Sequence, residues 1–169
     1  KVIAGLLNGE LHKWDIHTGR PIKIDINHDK PISSAKVSSD GEYIITSDIS
    51  GKLKKWDKSS QYLEPRAINT GNKIGAIRII DNDRKIAALH ENGVNSWGGI
   101  SVWDSNTLNN IYDIQFNTTE PGKTITWIAI SPNGKYVAYS IEDENIIKVI
   151  DLQSNTSPKT IGRHNNIIW

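Results

Sequence analysis

Apolar positions along the chain fall into short runs that recur with one internal spacing. Ile32, Ala35 and Val37 precede a polar turn, Ser38-Ser-Asp-Gly41, and Tyr43-Ile-Ile-Thr46 follows it. The same order returns as Ile74, Ile77 and Ile79, then Asp81-Asn-Asp-Arg84, then Ile86-Ala-Ala-Leu89. It returns again as Ile125, Ile128 and Ile130, then Ser131-Pro-Asn-Gly134, then Tyr136-Val-Ala-Tyr139. Asp and Asn in such turns bond their own backbone, and Gly supplies a positive φ. No stretch sustains a 3.6-residue apolar period over the length a helix needs, and plentiful isoleucine suits pleated surfaces. Each unit therefore reads strand, tight turn, strand, loop, strand. A fourth, more variable strand is predicted over 22–26, 62–68, 111–116 and 159–161.

A second landmark shares the same register. Gly9-Glu-Leu-His-Lys-Trp14-Asp15, Gly51-Lys-Leu-Lys-Lys-Trp56-Asp57, Gly99-Ile-Ser-Val-Trp103-Asp104 and Asn145-Ile-Ile-Lys-Val-Ile150-Asp151 are spaced 42, 47 and 47 residues apart at the Trp or Ile position. That period sits at or just above the roughly 40–45 residues of a four-stranded propeller blade. The expectation is an all-β chain of four-stranded antiparallel blades. Three would be complete, over 31–68, 73–116 and 124–162, with strands of a first blade in 1–27 and the start of a further one in 163–169. Trp56 and Trp103 are expected to be buried between blades.

These anchors and turns resemble the WD-repeat family, whose repeat opens near a Gly-His pair and closes on Trp-Asp; the resemblance runs along the whole chain. It implies a buried hydrogen-bonded set of a loop His, a Ser or Thr on the second strand, an Asp in the next loop and the Trp of the third. By position the second blade offers His28, Thr46, Ser50 and Trp56, without the carboxylate. Asn8 takes the Asp position in the first blade, and Thr70 and Pro121 take the His position in later ones. His164, in Gly162-Arg-His164, looks like the opening of another repeat. The structural anchors so implied are Trp14, Asp15, His28, Thr46, Trp56, Asp57, Trp103, Asp104, Asp151 and His164. The last repeat, with Ser131-Pro-Asn-Gly-Lys-Tyr-Val-Ala-Tyr139 and Ile147-Lys-Val-Ile-Asp151, is also similar to the YVTN-type repeat of surface-layer and lactonase-like propellers. The first resemblance implies an intracellular protein of cytoplasm or nucleus, the second an extracellular one.

Composition narrows the chemistry. Twenty Lys and Arg against 19 Asp and Glu give a net charge of +1, so no field steers the chain onto nucleic acid. No apolar run nears the roughly 18 residues of a membrane span, and no signal peptide is visible. The absence of cysteine excludes disulfides, thiolate metal sites and a cysteine nucleophile. The absence of methionine points to a processed N-terminus or to an excerpt. A chain opening inside a second strand and stopping at Trp169 favours roughly half of a propeller of about seven blades over a closed four-bladed ring.

Candidate catalytic sets are sparse. His12, His17, His28, His90 and His164 show neither i, i+2 nor i, i+4 metal-ligand spacing, and G-x-S-x-G is missing. The carboxylates Glu142-Asp143-Glu144, and Asp81 with Asp83, fall in loops open to water, where nothing pushes two pKa values apart. Trp97-Gly98-Gly99 precedes a strand rather than a helix, so it cradles no phosphate. Asn117 and Asn155 sit in glycosylation sequons. Lys52, Lys54, Lys55 and Lys58 cluster around one hairpin, where lysines either meet an acidic partner or block strand addition. The segment from His90 to Gly98 reads as an insertion between strands, and its Trp97 is out of register with the anchors. Long loops on rigid scaffolds carry function and Trp is enriched at interface hot spots, so Trp97, Lys54 and Lys55 are the candidate partner contacts.

The reading favours a non-catalytic scaffold or sensor domain within a larger protein or complex. It would bind protein or peptide and would carry no catalytic residue, cofactor or metal. An enzyme propeller of lactonase or oxidoreductase type, or an extracellular YVTN-type surface propeller, is the alternative.

Overall fold

The structure is a computed structural model and describes residues 2–60, 65–91, 97–115, 125–141, 144–154 and 157–163, without the side chains of residues 60, 97 and 126. Its strands form four antiparallel sheets, one of three strands and three of four. The first sheet runs β1 (Val2–Gly5), β2 (Leu11–Trp14) and β3 (Pro21–Ile22) in sequence order. The second runs β4 (Ile32–Val37), β5 (Tyr43–Asp48), β6 (Lys52–Asp57) and β7 (Arg66–Asn69). The third comprises β8 (Ile74–Ile80), β9 (Lys85–Glu91), β10 (Trp97–Asp104) and β11 (Asn110–Gln115). The fourth comprises β12 (Ile125–Ile130), β13 (Tyr136–Ile141), β14 (Ile146–Asp151) and β15 (Lys159–Arg163). A 3-10 turn, Lys58–Ser60, follows β6.

The chain divides into two compact units, residues 1–79 and 80–169. In the first, Leu11, Ile26, Ile44 and Trp56 form a buried cluster with Ile3, Ile24, Ile32 and Ala35 packed against it, so the first two sheets share one core. Burying each such Ile or Leu side chain contributes about 1.5–3 kcal/mol. Every residue of β5 is buried, the apolar Tyr43, Ile44 and Ile45 together with the polar Thr46, Ser47 and Asp48, so the strand is covered on both faces. The second unit buries Ile86, Leu89, Ile100, Val102, Trp103, Ile125, Val137 and Tyr139. There Gly134 lies so close to Ile80 that a Cβ would meet the Ile80 Cδ1 at 2.8 Å.

The turns close as their residues dictate. Ser38 Oγ donates to Asp40 (2.6 Å) and accepts the Tyr43 N–H (3.0 Å), with Gly41 at φ +75°. Ser131, Asn133 and Gly134 repeat this arrangement, with bonds of 2.7 and 2.9 Å and φ +66°. The third turn lacks glycine. Asp81, Asn82 and Asp83 take left-handed φ values of 55, 52 and 65°, a conformation Asn and Asp tolerate better than other side chains.

Two strand expectations need correction. The strand predicted over 22–26 is confined to Pro21–Ile22, with an isolated bridge at Asn27, because the intervening chain bows to place Ile24 and Ile26 in the core. The insertion predicted over 90–98 shrinks, since β9 continues through Glu91 and β10 begins at Trp97, paired with Glu91 across the hairpin. A register shift between Trp97 and Gly99 accommodates the added residues.

Candidate functional site

The most developed polar constellation lies inside the first unit. Trp56 and Thr46 lie on neighbouring strands, and His28 reaches them from the loop before β4. The Trp56 indole N–H donates to Thr46 Oγ1 at 2.8 Å. Thr46 Oγ1 is 2.7 Å from His28 Nε2, and His28 Nδ1 is 2.8 Å from Asp48 Oδ2. Asp48 Oδ1 then accepts the Ser50 N–H, the Ser50 hydroxyl and the Lys52 N–H. A carboxylate can only accept, so His28 Nδ1 carries a proton and donates to Asp48. Burial disfavours the charged ring, and in the neutral form Nε2 accepts from the Thr46 hydroxyl, which itself accepts the Trp56 N–H. Burial, the largest influence, pushes the His28 pKa down, against the opposing pull of Asp48. Burial alone would raise the Asp48 carboxyl, yet the bonds from Ser50, His28 and Lys52 together bring it below the usual range.

This corrects the expectation that the carboxylate is lost. Asp48 supplies it, and Ser50 only braces Asp48. Thr46 and Asp48 alternate on one strand and share its face, a signal that the assignment of Ser50 overlooked. The strand registers carry the same correction to the first sheet. Ala4 and Leu6 stand where Thr46 and Asp48 do, so Asn8 is not at the Asp position; its side chain accepts the Glu10 N–H (3.1 Å) instead.

The other two sheets solve the same positions differently. In the third, Ala88 replaces Thr46 and His90 replaces Asp48. His90 Nε2 lies 2.7 Å from Ser101 Oγ, with the ring edge-on to Trp103 at 6.4 Å. His90 Nδ1 is buried with no hydrogen-bond partner among the described residues. Burial pushes the His90 pKa down, with Asp113 pulling the other way. In the fourth, Tyr139 and Ile141 take the Thr and Asp positions, so the polar set gives way to apolar packing. Thr70, at the loop His position, bonds the carbonyls of Gly51 (3.0 Å) and Asn72 (2.9 Å).

The anchor carboxylates cap turns. Asp15 accepts from the N–H groups of His17 and Thr18, and Asp104 does the same for Asn106 and Thr107. Asp151 accepts the Gln153 N–H. Asp57 pairs with Lys55 at 3.0 Å and Arg66 at 3.2 Å. Trp56 and Trp103 are 3% and 6% exposed, while Trp14 is half-buried.

Two of the four clustered lysines are turned inward rather than to a partner. Lys54 and Lys55 are buried: Lys54 Nζ donates to the Asn27 carbonyl at 2.8 Å above the Trp56 ring, and Lys55 lies over Tyr43. Their long apolar stems cover core, and only intrachain oxygens receive the charge. Lys52 pairs with Asp29 and Lys58 with Glu42. Asp81, one of the paired carboxylates, is held by Arg84 and Lys85. His164, Asn117, Asn155, Pro121, Glu142, Asp143 and the Trp97 side chain lie outside the described residues. Among the described residues no three His, Asp or Glu side chains converge as a metal site would require, and no helix is long and apolar enough to cross a membrane.

The WD domain, G-beta repeat model matches residues 19–57, the stretch that holds His28, Thr46, Asp48 and Trp56. That stretch matches a WD repeat, and the four antiparallel sheets have the strand order of propeller blades. WD repeat-containing protein 1 of Rattus norvegicus is 27% identical over 143 residues, covering 83% of this chain and 22% of that protein. The β-propeller domain of Myceliophteria thermophila Cps50 (Swd1) superposes with a TM-score of 0.71 at 15% identity, covering 95% of this chain and 52% of the other. The chain thus spans only part of the relative and of the structural neighbour. The family typically mediates protein interactions and is generally non-catalytic.

Proposed function

We propose that this WD-repeat chain is a non-catalytic interaction scaffold or sensor module, binding protein or peptide partners within a larger protein or complex. The observation that carries this reading is the use made of the histidine and aspartate side chains at the described anchor positions. His28 and Asp48 are bonded to each other in the buried interior of the first unit, and Asp15, Asp104 and Asp151 cap turns. Groups so committed position strands and cannot approach a substrate, whereas catalysis needs a base or nucleophile within hydrogen-bond reach of one.

The test is reconstitution with the partner that proximity labelling identifies in the cell of origin. The reading expects a stoichiometric complex that survives size-exclusion chromatography at micromolar concentration. Turnover of a lactone or redox substrate by the purified protein, abolished by one polar-to-apolar substitution that leaves the melting temperature unchanged, would overturn it.

A further inference from the structure

We propose that the outer edge of β11 is a strand-addition site for an extended partner segment with a basic residue between two apolar ones. The inference rests on the scaffold reading and gives it a place and a partner chemistry.

β11 ends its sheet order, as β3, β7 and β15 end theirs. An edge strand turns the main-chain groups of alternate residues away from its neighbour, a template for any extended chain unless Pro, Lys or Arg discourages pairing. β3 is two residues long and contains Pro21. β7 opens on Arg66, and β15 is bounded by Lys159 and Arg163. β11, Asn110-Ile-Tyr-Asp-Ile-Gln115, is the longest of the four and has none of these residues. Its irregularity is confined to one end. Val102 pairs with Tyr112 and Trp103 with Asn110, so Ile111 is the extra residue, while Tyr112 to Gln115 run in regular register with Val102 to Gly99.

The side chains set the chemistry of the occupant. Asp113 is the one charge on the strand and is exposed, its carboxylate accepting the Asn110 side-chain N–H at 3.1 Å. Tyr112 and Ile114, on the opposite face, are half-buried, with the Tyr112 hydroxyl 3.4 Å from the Gly134 carbonyl. Residues directly opposite in a ladder share a face, and opposite charges or β-branched and aromatic pairs stabilise it. A strand laid along this edge therefore places a Lys or Arg opposite Asp113 and apolar residues opposite Tyr112 and Ile114. Main-chain bonds give the affinity and the alternating side chains the selectivity, as in other strand-addition complexes.

The test uses the whole chain labelled with 15N and three capped peptides: Thr-Val-Lys-Val-Thr, the same peptide with Glu replacing Lys, and the Lys peptide N-methylated at its lysine and both threonines, the residues whose main-chain groups would face the outward groups of Asp113 and its alternate neighbours. Amide shifts follow the titrations. The Lys peptide is expected to move the amides of Ile111 to Gln115, the Glu peptide to bind about five- to tenfold more weakly, and the N-methylated one to bind not at all. Asp113→Lys should reverse the order of Lys and Glu peptides while leaving the protein folded, because that side chain is on the exposed face. Equal binding of the two charges, shifts centred on β7 or β15, or self-association of the chain through β11 would each overturn the proposal. If the edge fails while the reconstituted complex forms unchanged with Asp113→Lys, the scaffold reading stands and only the place is wrong. If no complex forms at all, the scaffold reading falls independently of β11.

Discussion

Thr46→Val exchanges one hydroxyl for a methyl at nearly constant volume and isolates the worth of the buried bonding chain. The hydroxyl serves two partners, the Trp56 indole N–H at 2.8 Å and His28 Nε2 at 2.7 Å, and both residues are at most 5% exposed. The substitution orphans both, at about 1–3 kcal/mol per buried polar group. The added methyl returns roughly 0.8 kcal/mol. The expected net loss is about 1–5 kcal/mol, a large share of the 5–15 kcal/mol that holds an ordinary domain together. The corresponding fall in Tm is about 2–20 °C for a chain of this size. Urea unfolding followed by tryptophan fluorescence reads the loss directly, with Thr46→Ser as the control that keeps both bonds and costs about 1 kcal/mol for the lost methyl. A Thr46→Val protein within about 0.5 kcal/mol of the parent, the range of ordinary surface substitutions, would refute the bonding pattern.

The pH dependence of stability follows from two histidines whose pKa values burial lowers. Below the unfolded value near about 6.5 the unfolded chain takes up protons before His28 and His90 do, so stability should hold above about pH 7 and decline under it. Each histidine contributes at most about 1.4 kcal/mol per pH unit, and Asp48, whose carboxyl is lowered, adds a further loss only as pH falls below about 4. A urea midpoint that rises from pH 7 to pH 5 would contradict this. The paired substitution His90→Leu with Ser101→Ala removes a half-satisfied polar pair and should leave stability unchanged or raised by about 1 kcal/mol. Ser101→Ala alone should instead lower the urea midpoint. Gly51→Ala, at φ +87° with a Cβ driven into the Asn72 carbonyl, should cost clearly more than Gly41→Ala, at φ +75° in open space, where only the conformational cost of about 1–2 kcal/mol applies.

The blades were legible because their signal is periodic and local. Ile32 to Gly41, Ile74 to Arg84 and Ile125 to Gly134 each place apolar residues before a turn whose Asp, Asn or Gly closes it, and the structure draws each as two strands of one sheet. Burial of Trp56 and Trp103 followed from the same register. What escaped the sequence depends on the third dimension. Asp48 completes the histidine set because a strand places its i and i+2 side chains on one face, whereas the position aligned with the family's loop Asp falls on Ser50, which only braces Asp48. Lys54 and Lys55 read as exposed because lysine usually is, yet the cover of their stems and the Asn27 carbonyl hold them inside. His90 carried no motif at all; its place opposite Gly99, on the strand position that Asp48 fills in the second sheet, is visible only from the ladder.

The central claim is that histidine and carboxylate chemistry here serves the architecture, through a neutral His28 donating from Nδ1 to Asp48 and accepting at Nε2 from Thr46. Long-range proton–nitrogen correlation NMR of the histidine side chains, recorded from pH 8 to pH 5, tests it most directly. The account predicts a His28 signal locked in the Nδ1–H tautomer at pH 7 that resists protonation to well below about 6.5, the value of an unperturbed imidazole. A His28 ring that exchanges between tautomers, or that titrates at or above that value in the folded protein, would contradict it.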